Sequence, residues 1–395
     1  MIRSATRRWL VTAAFLYTIA ALLHGACVHG AMADERDADN FDGFLEPIRL
    51  AHDVPALAAL LIHGERIVGI GAVGYRKSGE TIPVGRDDRW HLGSIGKSMT
   101  ATMIARLVER GVLSWELSLG EALGEAVPGM DSAYRAVTLE DLLAHRSGLV
   151  GAMTALKIWN GKLWRSTEPK ADLRMAIARE ALALPPEAPP GEVFHYSNAG
   201  YVIAGALAER AAGEPWDELM LHELFEPLGM NSSGFGAPGT AGELSQPWGH
   251  YEGRSRVVPV EPGLGGDSPP ALGPAGTIHA SLGDVGRYLS AHLLGSRGRG
   301  WLLSPDTFGQ LHRPRQGQDY SLGWVVVASP LAGGLALTHA GSNLNWYSVA
   351  WVMPALNIAL FVVANQGGQA GFRAVDEAVG VVLQYAGETI PGVAR

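Results

Sequence analysis

The stretch Ala56-Leu57-Ala58-Ala59-Leu60-Leu61-Ile62-His63, then Gly64-Glu65, then Arg66-Ile67-Val68-Gly69-Ile70-Gly71-Ala72-Val73-Gly74-Tyr75, decides what kind of sheet this chain builds. Two apolar runs joined by a short Gly-Glu link predict a β-hairpin over 56–63 and 66–75. The second run contains Gly69-Ile70-Gly71-Ala72-Val73-Gly74, which matches the dinucleotide pattern G-x-G-x-x-G. That pattern cradles a pyrophosphate only where it opens a helix. Here Tyr75-Arg76-Lys77-Ser78-Gly79 follows, which is a turn. The glycines therefore read as those of a twisted strand.

Working outward, Ser94 to Arg110 carries Ile95, Met99, Met103, Ile104, Leu107 and Val108 on one helical face, and Gly111 ends it. Residues 112–272 read as helical patches with Pro/Gly-rich links, among them Leu139–His145, Ala171–Leu184 and Tyr201–Ala212, with a hard break at Pro185 to Gly191. From Tyr320 to Asn365 the chain reads as strands: Gly323–Ala328, Ala336–His339, Tyr347–Val352 and Ile358–Ala364. A final helix is expected over about Phe372–Gly387. Strands thus lie at both ends with helices between. The expected fold class is α/β (α+β): a mostly antiparallel sheet formed by both chain ends, flanked by helices, with a largely helical inserted subdomain. The expected division is 34–115 plus 275–395 for the sheet part and 116–274 for the helical part, with a site in the cleft between them.

The chain has 395 residues, a formal charge of −8 and one cysteine; 47% of it is hydrophobic and about a fifth is Gly plus Pro. A large core is affordable, and collagen, coiled coil and disorder are excluded. The acidic balance argues against nucleic acid as a partner. Arg3, Arg7 and Arg8 precede an almost wholly apolar run from Trp9 to Leu23, and Ala31-Met32-Ala33 precedes Asp34. That order predicts a secretory signal peptide over 1–33, cut after Ala33. A retained signal anchor would need a longer apolar run, and a lipoprotein acylated at Cys27 would want a large aliphatic residue where His24 stands. The exported chain would have 362 residues, a charge of −11 and no thiol, since Cys27 leaves with the signal. It would be periplasmic or secreted, meeting the membrane only through an uncleaved signal.

Lysine is scarce, with five in the whole chain. Ser94-Ile95-Gly96-Lys97 puts a hydroxyl and an amine on one face of a helix's first turn. A serine needs a base to become a nucleophile. A lysine can serve if burial and the positive helix end lower its pKa. The same end offers the Ser94 N–H to an oxyanion. The plainer reading is an N-cap serine with a solvated lysine. Against it stand the small or apolar residues Ser98-Met99-Thr100-Ala101, which a solvated lysine would not need. Tyr196-Ser197-Asn198 follows Pro189-Pro190-Gly191 on a rigid loop before a helix. A tyrosine beside an ammonium ionises more easily and can take a serine proton, and the asparagine can bind a substrate amide. The plainer alternative is an Asn cap with a packed Tyr. His339-Ala340-Gly341 ends a strand, where Gly341 would let a substrate backbone lie along the edge and His339 would supply a donor or a positive charge near pH 6.5. No serine sits in G-x-S-x-G, and no H-E-x-x-H or H-x-H cluster occurs, so an α/β-hydrolase elbow and a zinc hydrolase are disfavoured. No cofactor and no metal are expected.

These three motifs, in this order, resemble those of the serine β-lactamase and penicillin-binding-protein superfamily, most closely its class C β-lactamase-related serine hydrolases. The resemblance covers about 50–370. It includes His91-Leu92-Gly93-Ser94-Ile95-Gly96-Lys97 and the landmarks Leu142-Leu143-Ala144-His145-Arg146-Ser147-Gly148-Leu149 and Pro190-Gly191 through Tyr201. It implies that Ser94 is the acylated nucleophile, that Lys97 and Tyr196 share the base role, and that Asn198 orients the substrate. It also implies that His339-Ala340-Gly341 stands for the family's K-T-G, and that the N–H groups of Ser94 and Ser342 form the oxyanion hole. The Lys and Thr that hold a carboxylate in that motif are His339 and Ala340 here, and no lysine follows Lys170. Asn345-Trp346-Tyr347 is expected to add an aromatic wall to the acyl pocket. The resemblance implies an exported hydrolase of an ester, amide or β-lactam carbonyl, with a small molecule or peptide as substrate. Esterase or D-peptidase-like activity is favoured over efficient β-lactamase. The alternative is a non-catalytic relative that binds cell-wall peptide or a protein partner.

Overall fold

The computed structural model describes residues 38–161, 163–254 and 256–393. The signal segment and Cys27 lie outside the described residues. The strands, in chain order, are β1 (Asp39–Asn40), β2 (Ala56–His63), β3 (Arg66–Gly74), β4 (Arg89–His91), β5 (Gly234–Phe235), β6 (Gly249–Glu252), β7 (Val257–Val260), β8 (Ile278–Ser281), β9 (Val325–Ser329), β10 (Gly334–Ser342), β11 (Tyr347–Met353) and β12 (Ile358–Ala364). The longer helices are α1 (Asp42–Ala51), α2 (Gly96–Glu109), α3 (Lys170–Ala183), α4 (Asn198–Ala212), α5 (Leu282–Ser296) and α6 (Gly368–Thr389).

Seven strands form one sheet in the order β1-β3-β2-β12-β11-β10-β9. Every pair is antiparallel except β1 with β3. The two chain ends meet where β2 pairs with β12, from Leu57 opposite Ala364 to His63 opposite Ile358. These two strands are apolar on both faces because both faces are covered. Ala58, Leu60 and Ile62 enter one core, while Leu57, Ala59 and Leu61 enter the other, with α1 and α6. That is the two-residue period of a strand sorting one segment into two cores. The strand reading of Gly69 and Gly71 holds: a Cβ on Gly69 would lie 1.9 Å from the Phe41 ring, and one on Gly71 would crowd Asp42. The glycines let the start of α1 press onto β3.

The segment 116–274 holds α3 and α4, but also β5, β6 and β7, which the sequence reading took as helical surroundings. β5 pairs with β8, which in turn pairs with β4, and β6 pairs with β7. These strands are two to four residues long, too short for their period to show. At β9, strand begins at Val325 rather than at Gly323, because Gly323 has φ of +85° and a Cβ there would lie 2.5 Å from Ser98 Cα. The third motif lies on a longer strand than expected, running on through Ser342. Among the described residues no helix is long and apolar enough to cross a membrane.

Candidate active site

β4 leads into a 3-10 turn, Gly93–Ile95, and then directly into α2. Gly93 takes φ of +53°, and a Cβ on it would stand 2.4 Å from the backbone N of Ser342. On the other side, a Cβ on Gly341 would lie 2.0 Å from the Leu92 carbonyl oxygen, which accepts a hydrogen bond from Ser348 Oγ at 3.0 Å. Two glycines 248 residues apart therefore allow the nucleophile turn and β10 to touch backbone to backbone. The missing side chain of Gly341 thus admits Leu92, a reason for glycine there that the sequence does not show. β9 pairs with β10 only as far as Thr338, so the edge beyond it is not covered by that strand.

Ser94 Oγ receives two donors: Lys97 Nζ at 3.0 Å and the Tyr196 hydroxyl at 2.9 Å. Lys97 is fully buried on the inner face of α2, and its Nζ also donates to the Ala275 carbonyl at 2.5 Å. The rings of Tyr196 and Tyr201 lie 5.0 and 5.6 Å from Nζ. Those ring faces favour an ammonium. Burial without a carboxylate partner opposes it more strongly and draws the amine down to about 7. The solvated-lysine reading of Ser94-Ile95-Gly96-Lys97 is thereby excluded.

Tyr196 precedes α4. Ser197, not Asn198, is the cap of that helix: its Oγ accepts the Gly200 N–H at 3.3 Å and donates to the Val150 carbonyl at 2.7 Å. Asn198 is half-buried at the first helical position, and its side-chain amide has no partner among the described residues. The expectation that Tyr196 ionises easily is overturned. Burial pushes its phenol up to about 12, outweighing the hydrogen bond to Ser94. The phenol is held from behind by His145, whose ring lies 4.2 Å away and whose Nδ1 accepts the Ser197 N–H at 3.1 Å.

His339 does not reach Ser94 through any hydrogen bond among the described residues. It is buried, its Nδ1 donates to the Ala340 carbonyl at 2.6 Å, and its Nε2 accepts from the Tyr320 hydroxyl at 3.0 Å. Both ring nitrogens are thus satisfied in the neutral tautomer. Burial, with Lys97 nearby, lowers the imidazole to about 4. The expected positive charge near pH 6.5 is therefore absent, and so is a free donor. Trp346 is not a pocket wall either: it is 1% exposed and meets Trp90 edge-on at 6.0 Å. Tyr347 packs against Phe372 on the α6 side of the sheet. Ser342 is exposed, with its Oγ accepting the Leu344 N–H at 3.0 Å.

Sequence reasoning missed Ala275, Tyr320 and the supporting role of His145. His145 lay inside a noted landmark, whereas nothing in the local sequence marks Tyr320 or the Ala275 carbonyl.

The fold agrees with the comparisons to known proteins. The chain belongs to the Beta-lactamase family, whose model matches residues 32–384. "Penicillin-binding protein 4" of Amycolatopsis lactamdurans is 30% identical over 255 residues, covering 63% of this chain and 62% of that protein. "Esterase EstB" of Burkholderia gladioli is 33% identical over 205 residues, covering 49% of this chain and 50% of that one. The matches thus span less than two thirds of these relatives' own length. The octameric penicillin-binding protein homologue from Pyrococcus abyssi superposes with a TM-score of 0.69 at 24% identity, over 87% of this chain and 76% of that one. The last similarity is one of fold.

Proposed function

We propose that this protein is an exported serine hydrolase that works through an acyl-enzyme. One observation carries the reading: Ser94 Oγ lies within hydrogen-bond distance of both the Lys97 amine and the Tyr196 phenol, and that amine is buried and drawn down to about 7. Neutral Lys97 takes the proton as Ser94 Oγ bonds to the carbonyl carbon. The tetrahedral oxyanion forms against the N–H groups of Ser94 and Ser342. When the intermediate collapses, the proton returns to the leaving group, with Tyr196 relaying it as a neutral phenol. Water then attacks the acyl-serine by the same path, releasing the acid and restoring Ser94.

The substrate carries no carboxylate that the enzyme must hold. Where the family's K-T-G offers an ammonium, this chain has a neutral imidazole with both nitrogens occupied, and the next residue, Ala340, has no hydroxyl. Exposed Val193 and Phe194, on the loop just before Tyr196, suit an apolar substrate. Esterase activity is therefore favoured over a β-lactamase or a D-Ala peptidase, in keeping with the esterase among the relatives.

The test is a side-by-side panel of a short p-nitrophenyl ester, a chromogenic cephalosporin and a D-Ala-D-Ala peptide, with fluorophosphonate labelling of wild type and Ser94→Ala. The ester should be cleaved fastest and the label should need Ser94. Equal labelling of both proteins would sink the acyl-enzyme reading. N-terminal sequencing of the secreted protein tests export with cleavage after Ala33.

A further inference from the structure

A buried polar chain joins the nucleophile turn to the end of β10, and no step above uses it. His91, the last residue of β4, is fully buried. Its Nδ1 accepts the Gly93 N–H at 3.1 Å. The ring proton therefore sits on Nε2, which faces Asp267 Oδ2 at 2.8 Å. The other carboxylate oxygen, Oδ1, accepts Asn343 Nδ2 at 2.8 Å and the Ser268 N–H at 2.7 Å. Asn343 Oδ1 accepts the Asn345 N–H at 3.1 Å, turning the chain after β10. The Asp267 side chain is 5% exposed, so these bonds work in a medium that strengthens them.

One carboxylate thus holds, through His91, the residue just before Ser94 and, through Asn343, the residue just after Ser342. Ser94 and Ser342 carry the two N–H groups to which the oxyanion is assigned. Gly93 has no Cβ to fix its backbone, and its φ of +53° is only one of several regions glycine visits readily. Something must therefore select that conformation, and the His91 acceptor does so at the Gly93 N–H. An oxyanion hole is effective only if its donors are already oriented when charge develops.

We propose that His91, Asp267 and Asn343 are positioning residues that preset the spacing and direction of the Ser94 and Ser342 N–H groups. This rests on the acyl-enzyme reading of Ser94. The variants are Asp267→Asn, which keeps the shape but turns one acceptor into a donor, and Asn343→Ala, which removes the β10 link and the Asn345 N–H acceptor but leaves the His91–Asp267 pair in place. The measurement compares an oxygen ester with its thionoester, whose developing sulfur anion is a poor hydrogen-bond acceptor. Each variant should lose at least about tenfold in kcat on the oxygen ester, with KM little changed. The thionoester rate should fall less than threefold, so that selectivity for oxygen over sulfur drops.

Loss of both rates by the same factor would mean the chain only supports the fold and would overturn the proposal, as would no loss at all. Asn343→Ala keeps the test decisive if Asp267→Asn does not fold. Failure of the underlying reading looks different: Ser94→Ala would then keep its ester hydrolysis, whatever the oxygen-to-sulfur ratio.

Discussion

Lys97 Nζ stands 3.0 Å from Ser94 Oγ and 2.5 Å from the Ala275 carbonyl oxygen, and among the described residues no carboxylate joins them. The amine is therefore oriented by one acceptor of the fold while its remaining capacity is aimed at the serine. A lysine paired with Asp or Glu would be locked as an ammonium and useless as a base.

Removal of that amine should be costly. Lys97→Ala is expected to lower kcat by at least about a hundredfold, the usual scale for a general base. In the proposed mechanism the neutral amine is the active form, so wild-type kcat/KM should rise with pH along a limb centred at about 7. A flat profile from pH 6 to 8, or a near-normal Lys97→Ala, would remove Lys97 from the mechanism.

Tyr196→Phe keeps the ring that packs 4.2 Å from His145 and deletes the hydroxyl 2.9 Å from Ser94. Melting temperature should hardly change, while kcat falls about a hundredfold or more. Since the phenol sits at about 12, no second limb should appear between pH 8 and 10. Such a limb, lost in Tyr196→Phe, would show that the tyrosinate is the base instead.

Gly341→Ala forces a methyl to within 2.0 Å of the Leu92 carbonyl, a backbone atom that cannot swing away. The expected cost is about 1–3 kcal/mol of stability, as for other overpacked sites, with a loss of activity because Leu92 lies two residues before Ser94. Gly85→Ala, where a Cβ meets nothing within 4 Å, serves as the control. Thermal melts of both variants decide it, and equal melting points would refute the close approach.

Acid should unfold the protein through its buried histidines. Burial holds His250, His279 and His339 at about 4. In the unfolded chain each would titrate near the ordinary 6.5, so between those values the unfolded state binds more protons. Stability is thus fully present above about pH 6.5 and falls as pH drops towards 4, by up to about 1.4 kcal/mol per pH unit for each histidine. His250 shows why: Nδ1 donates to the Asn365 carbonyl at 2.8 Å and Nε2 accepts the Ser78 N–H at 3.0 Å, an arrangement only the neutral ring can make. Urea unfolding at pH 7, 6 and 5 measures the slope. A stability independent of pH over that range would contradict it.

The division between sequence and structure is clear at particular residues. Short, continuous apolar runs at 56–63 and 358–364 announce strands, because a strand covered on both faces must be apolar at every position. Ser94 and Lys97 announce a shared helical face, because three residues make nearly one turn. The rarity of lysine, with five in the whole chain, made the motif legible. Short β5, β6 and β7 were not legible, since two to four residues show no period. Trp346 was misread because an aromatic residue beside a motif looks the same whether it faces a pocket or the core.

What only the tertiary structure decided is the chemical state of each group. Tyr196 reaches Ser94 across 102 residues, Ala275 reaches Lys97 across 178, and Asp267 reaches His91 across 176. Burial and hydrogen bonding set proton affinities, and both are sums over neighbours brought from distant parts of the chain. By itself the sequence determined which side chains could react and on which elements they ride. The fold decided that burial draws the lysine amine down to about 7, that burial pushes the tyrosine phenol up, and that the buried histidine of the third motif is held neutral.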